Sequence, residues 1–243
     1  MKHLILLTFL TLIYSISHSQ KLYKAVEQGD TVKVKELINK GEDVNEYNKN
    51  GLFPLWRAAS DNNIQMCKIL IKNGANVMQK TKVSPGFTTP IVSIIQNGNL
   101  ELLKLFIENK YDINFREYLG FTPLRLAAAK GQYDMVVYLI SKGAEIDSKA
   151  NDNATPLLHA CSKGYYDIAE YLIKNGATVN LIDRDGESPL SAAAYSGNLE
   201  IVKLLLDNGA DIHLKNSKDK TPIDMALEKG KKEAAEMMGN YKK

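Results

Sequence analysis

Six of the seven prolines, Pro54, Pro90, Pro123, Pro156, Pro189 and Pro222, are separated by 36, 33, 33, 33 and 33 residues. A chain that returns to one residue type at a fixed step of this size is constrained to build one small unit several times and to stack the copies. Two glycine series keep the same step. Gly98, Gly131, Gly164, Gly197 and Gly230 form the first, with Gly29 in phase, and Gly41, Gly74, Gly143, Gly176 and Gly209 form the second.

Each series has a local meaning. Thr122-Pro123, Thr155-Pro156, Ser188-Pro189 and Thr221-Pro222 read as helix starts. The hydroxyl can accept a free N–H, and proline sits where its missing N–H is not needed. Small apolar residues follow, as in Ala127-Ala128-Ala129 and Ala192-Ala193-Ala194, and they allow close approach of another helix. Gly131, Gly164 and Gly197 then end the helix in a left-handed conformation. Leu199, Ile201, Val202, Leu204, Leu205 and Leu206 have the spacing of a second, buried helix face. The unit is therefore a helix, a turn, an antiparallel helix and a loop. One copy is too small to bury both its faces, so neighbours must share a core.

The first 19 residues do not take part in this pattern. Lys2 precedes an apolar stretch from Leu4 to Tyr14, and Ser15 to Ser19 is short and mostly small. That layout predicts a secretory leader cut between Ser19 and Gln20. An apolar run of 11 residues falls short of the about 20 that span a bilayer. An uncleaved anchor or an amphipathic core helix is the alternative. No cysteine lies near the cut, so a lipid-modified N-terminus is not supported. The chain is thus expected to be exported, periplasmic or extracellular. Removing the leader leaves 30 basic and 28 acidic residues, a balance with no nucleic-acid footprint. With hydrophobic residues at 44% and charged residues at 24%, a disordered or polytopic membrane chain is excluded.

The repeated pattern resembles the ankyrin repeat family. Its carriers are Gly120-Phe121-Thr122-Pro123-Leu124, Ala127-Ala128, Gly131, Val136-Val137, Leu139-Ile140 and Gly143-Ala144-Glu145-Ile146-Asp147. They return from Thr155-Pro156-Leu157 to Asn180 and from Ser188-Pro189-Leu190 to Ile212. The resemblance covers nearly the whole of 20–243 and implies an all-α ankyrin repeat solenoid. Its repeats are expected at 48–80, 81–116, 117–149, 150–182 and 183–215, with caps at 20–47 and 216–243. Some positions depart from the family. The histidine expected two residues after each helix-starting proline is replaced by Trp56, Val92, Arg125, Leu158, Ser191 and Asp224. Phe53 stands where a capping threonine belongs, at an expected cost of about 1 kcal/mol. Lys110 replaces a helix-ending glycine, and the loop from Met78 to Pro90, with Pro85-Gly86, is three residues too long.

Residues able to carry chemistry are few. His159 and Cys161 are two apart on one helix and do not face each other. Cys161 and Cys67 occupy small apolar slots in different repeats and are expected to be buried, reduced or unreactive thiols. Asp183-Arg184-Asp185-Gly186 matches part of a calcium loop but lacks the other oxygen ligands and the distal glutamate, and it also fits a repeat loop. Asn153-Ala154-Thr155 matches a glycosylation acceptor, although Thr155 is more simply a helix cap. No metal, cofactor or catalytic constellation is expected.

The resemblance implies binding of another protein through loop tips and the exposed ends of the first helices, which line a concave groove, and the chain is expected to be a monomer. Carried over position by position, those residues include Tyr118, Leu119, Phe121 and Lys130, then Asn151, Asp152 and Lys163, then Arg184, Glu187 and Tyr195. The second repeat adds Lys49, Asn50 and Leu52, and the last adds Lys218, Lys220 and Lys229. Tyr118, Leu119 and Phe121, with Tyr195 two repeats away, form an apolar and aromatic cluster inside a polar rim. They serve either a partner or packing between adjacent loops. The terminal lysines either favour a negative partner or keep a capping repeat soluble. Rival readings are an envelope scaffold tethered by an uncleaved N-terminus and an enzyme with a groove site.

Overall fold

The computed structural model describes residues 20–83 and 88–241. The expected leader and the Pro85-Gly86 pair lie outside the described residues. Among the described residues all regular structure is helical: fourteen α-helices and one 3-10 turn, Tyr118–Gly120. The chain divides into two compact units after Asp112.

The first unit holds α1 (20–27), α2 (Thr31–Asn39), α3 (Pro54–Ser60), α4 (Ile64–Lys72), α5 (Pro90–Asn97) and α6 (Leu100–Glu108). Helix α3 packs on α4 and on α5, while α4 packs on α2 and α6. Phe53, Leu55, Met66, Leu70, Ile94 and Phe106 are among the fully buried side chains between them. Burying each such side chain contributes about 1.5–3 kcal/mol.

The second unit holds α7 (Pro123–Ala129), α8 (Tyr133–Ser141), α9 (Pro156–Lys163), α10 (Tyr166–Lys174), α11 (Pro189–Ser196), α12 (Leu199–Asp207), α13 (Pro222–Glu228) and α14 (Lys232–Asn240). Helices α7, α9, α11 and α13 form one row, each packed on the next, and α8, α10, α12 and α14 form the other. Ala127, Ala128, Ala160, Cys161, Ala193 and Ala194 are fully buried between the rows. Larger side chains there would hold the helices apart.

The hydroxyls of Thr89, Thr122, Thr155, Ser188 and Thr221 accept a backbone N–H from the helix that each precedes. Ser191 and Asp224, which depart from the family's histidine, return the bond to the backbone N–H groups of Ser188 and Thr221 at 2.8 and 2.9 Å. Phe53 provides no such cap. Its ring is instead fully buried, edge-on to Tyr47 with centroids 5.8 Å apart. Lys110 takes the left-handed conformation of the glycine it replaces, at φ 69°.

Between helix pairs the chain forms short hairpin fingers. Each closes with an N–H to C=O bond over four residues: Asn48 to Leu52, Glu117 to Phe121, Ala150 to Ala154, Asp183 to Glu187 and Asn216 to Lys220. The fourth finger residue has positive φ and is Gly51, Gly120, Asn153, Gly186 or Asp219. Asn and Asp tolerate this conformation better than other residues with a Cβ. In the finger that carries the insertion, the same bond runs from Thr81 to Thr88, three residues further. Backbone bonds also join neighbouring fingers: Lys82 N–H to Gly51, Asn151 to Leu119, Arg184 to Asp152 and Ser217 to Asp185.

A second set of lateral bonds ties successive repeats behind the helices. Side-chain oxygens of Asn45, Asn114, Asp147 and Asn180 accept the backbone N–H of Asn76, Glu145, Thr178 and Asp211 at 2.8–3.1 Å. Met78 holds the equivalent place and offers only its sulfur to Asp112, at 3.3 Å.

Candidate binding groove

The candidate site residues of the second unit sit on the helices of the row α7, α9, α11 and α13, at their ends, and on the fingers that precede them. The finger before α7 carries Tyr118 and Leu119 at its tip, exposed by 45% and 46%. Leu119 sits at φ 62°, a conformation unfavourable for a branched apolar side chain. Its carbonyl accepts the Asn151 N–H at 3.0 Å. Phe121 is half-buried, with the Arg125 guanidinium 4.1 Å from its ring centroid.

Arg125 is only 3% exposed, and its Nη2 donates to Asp152 Oδ2 at 2.6 Å. Its Nε is buried without a hydrogen bond, and so is the Nε2 of His159. Burial first, and the Arg125 charge second, pull the His159 imidazole down to about 4. It is therefore neutral at physiological pH and no ready proton donor. Lys130 and Lys163 are exposed at the ends of α7 and α9. The Nη2 of Arg184 donates to the Asn151 carbonyl, so this side chain braces two fingers together.

Further along, a cavity of about 730 Å³ opens over α9, α11 and α13. Leu158, Ala192 and Met225 supply apolar lining, and Tyr195, 46% exposed, stands beside them. Asp183 and Glu187 line it from the finger before α11, while Lys229 and Lys231 line it after the end of α13. The Lys229 ammonium lies 4.6 Å from the Tyr195 ring centroid. Glu187 accepts from Ser191 Oγ at 2.8 Å and from Asn216 Nδ2 at 3.0 Å, so its carboxylate is fixed in place.

Asp183 Oδ1 accepts the N–H groups of Asp185 and Glu187 at 2.9 and 2.8 Å. The supposed calcium-loop fragment is thus a finger whose first carboxylate folds back on its own backbone. Burial pushes the Asp183 carboxyl above the usual aspartate range, against those two N–H groups, and the charges of Asp185 and Glu187 push the same way.

Of the predicted contact residues, Glu187, Tyr195 and Lys229 line this cavity. Tyr118 and Leu119 form an exposed tip on another finger, and Phe121 supports Arg125. Sequence reasoning missed Asp183, Leu158, Met225 and Lys231 as groove residues. The available signal was the register of Leu158, Ala192 and Met225, two or three residues after successive helix-starting prolines.

Cys67 and Cys161 are free and buried. Burial pushes the Cys67 thiol up to about 12 and the Cys161 thiol higher still. Among the described residues no group of three or more His, Cys, Asp or Glu side chains is placed to hold a metal ion. Nor is any described helix long and apolar enough to cross a membrane.

Comparison with known proteins supplies the family. A family model described as ankyrin repeats in three copies matches residues 22–88, 79–150, 147–216 and 179–242. Alpha-latrocrustotoxin-Lt1a of Latrodectus tredecimguttatus is 32% identical over 117 residues, which is 47% of this chain and 8% of the toxin. The fowlpox virus ankyrin repeat protein FPV031 is 26% identical over 172 residues, 55% of this chain and 50% of the viral protein. Human protein phosphatase 1 regulatory subunit 27 is 36% identical over 66 residues, 27% of this chain and 43% of the subunit. The matches therefore span between 8% and 50% of these relatives. Helix pairs, capped starts, left-handed stops, laterally bonded fingers and the family match along almost all of 20–243 place this chain in the ankyrin repeat family.

Proposed function

We propose that the protein is an exported, non-catalytic interaction module that binds another protein in the groove of its second unit, as a monomer and without a cofactor. Ankyrin repeat proteins are in general interaction modules, and the human relative is by name a regulatory subunit. The observation that carries the reading here is the open cavity of about 730 Å³ along α9, α11 and α13, with an apolar and aromatic lining between charged ends. Apolar anchors within a polar rim are the usual layout of a protein interface. Because the side chains stand on packed helices, little ordering entropy is lost on association. A contact spanning three or four repeats would bury about 800 Å² of this chain, the standard size for a specific complex.

Export rests on the leader-like order of Lys2, the apolar run to Tyr14 and the small residues before Gln20. After cleavage no membrane segment is expected. Mass measurement of protein from the producing cell tests this: loss of residues 1–19 supports export, and their retention favours a tethered scaffold. Binding is tested by affinity capture from the native envelope or culture fluid, with a Tyr195→Ala variant as control. A partner held by the wild type and lost by the variant supports the groove, and reproducible catalytic turnover abolished by a groove change would replace this reading.

A further inference from the structure

In three fingers the first residue offers a side-chain oxygen to the finger's own N–H groups, and that task needs no charge. Asn48 Oδ1 accepts from Asn50 and Leu52 at 2.9 and 3.0 Å. Asn216 Oδ1 accepts from Lys218 and Lys220 at 3.0 and 3.1 Å. Asp183 makes the same pair of bonds in the finger before α11. There, however, it is a carboxylate, half-buried at the cavity wall with Glu187 beside it. Asparagine would close the finger equally well and avoid the desolvation of a charge. The finger geometry therefore does not account for the negative charge at this place.

The groove floor gives the charge a use. Leu158, Ala192, Met225 and Tyr195 offer apolar surface next to two carboxylates. A long aliphatic stem ending in a cation matches that combination, because its stem packs on apolar atoms while its head reaches charge. At the other end of the inner helices, Lys229 and Lys231 present the opposite sign. A helix of eight residues such as α11 is about 12 Å long. An extended peptide covers that distance in about four residues, at roughly 3.3 Å each.

We propose that this groove takes an extended segment of a partner protein, seating a lysine or arginine against Asp183 and Glu187 and an acidic residue about four positions away against Lys229 and Lys231. The proposal rests on the groove-binding reading above and adds the chemistry of the occupant. The cation restores the electrostatic balance that burial and the neighbouring carboxylates deny Asp183. The aliphatic stem packs on the apolar lining of Leu158, Ala192 and Met225.

The test is selection of peptides from a random display library on the purified full chain, followed by titration of the selected peptides. Asp183→Asn is the discriminating variant, since asparagine fills the same finger position twice elsewhere in this chain. Selected peptides are expected to carry a basic residue with an acidic one about four positions away. Asp183→Asn is expected to weaken them about tenfold or more, the worth of a charge-assisted bond, with an unchanged melting temperature. Glu187→Gln should act in the same direction. Binders without a basic residue, or binders indifferent to Asp183→Asn, overturn the proposal. If those binders are still lost with Tyr195→Ala, the groove reading survives and only the occupant is wrong. Failure to select any binder, or binders insensitive to both changes, overturns both.

Discussion

Arg125, buried in the second unit, donates through Nη2 to Asp152 at 2.6 Å and lies over the Phe121 ring. The pair joins α7 to the finger before α9, and it stands where the family pattern has histidine. Asp152 is half exposed, so most of the desolvation falls on the arginine. Removing the carboxylate strands a buried cation. Asp152→Ala should therefore destabilise the fold by about 1–3 kcal/mol. Adding Arg125→Met, which keeps the packing on Phe121 without the charge, should recover most of that loss. Urea unfolding of the two variants checks this, and a double variant less stable than Asp152→Ala alone would contradict the stranded-charge argument.

Stability should fall with acid through His159. Burial and the Arg125 charge lower this imidazole from 6.5 to about 4 in the folded chain. The unfolded chain therefore takes up a proton below pH 6.5 that the folded chain refuses until about pH 4. The native state loses stability across that window, by up to roughly 3 kcal/mol as pH falls. The unfolding midpoint of wild type and His159→Leu, followed over this range, isolates the contribution. The variant should show a flatter profile, and parallel profiles would assign the acid sensitivity elsewhere.

Phe53 reverses a simple expectation. Its lack of a capping oxygen costs about 1 kcal/mol, yet its fully buried ring packs on Tyr47. Emptying a core position of a phenylalanine costs about 3–5 kcal/mol. Phe53→Thr should thus be net destabilising by about 2–4 kcal/mol despite restoring the cap. Thermal and urea denaturation read the sign directly.

Lys110 holds φ 69° at the end of α6, where the equivalent residues Gly41, Gly74, Gly143, Gly176 and Gly209 also have positive φ. Side chains with a Cβ pay about 1 kcal/mol in this region. Lys110→Gly should raise stability by roughly 0.5–1 kcal/mol after its larger unfolded-state entropy is counted. A shift of the urea midpoint in the opposite direction would show that the lysine makes compensating contacts.

The period, the caps and most helix stops were legible because they depend on residues adjacent in the chain. Thr-Pro starts a helix and a following glycine stops it wherever they occur. The lateral bonds of Asn45, Asn114, Asp147 and Asn180 were also written at the repeat spacing, but their partners lie 31 residues on, as with Asn45 and Asn76. Arg125 was visible as a departure, whereas its pairing with Asp152, 27 residues away, required the fold. The role of Phe53 was hidden for the same reason, since a missing cap is local and a filled core position is not. In sequence, Asp183 matches a fragment of a metal loop. Only the folded chain closes its finger as Asn48 and Asn216 close theirs and sets its carboxylate at the cavity wall.

The measurement that bears most directly on the whole account is quantitative capture from the native compartment with wild type, Tyr195→Ala and a Tyr118→Ala/Tyr195→Ala double variant, each confirmed folded by its melting temperature. One partner protein retained by the wild type and depleted about tenfold or more by loss of Tyr195, as expected of an aromatic anchor, is the predicted result. Equal retention of every captured protein by all three would contradict the claim that this repeat stack works through the groove over α9, α11 and α13.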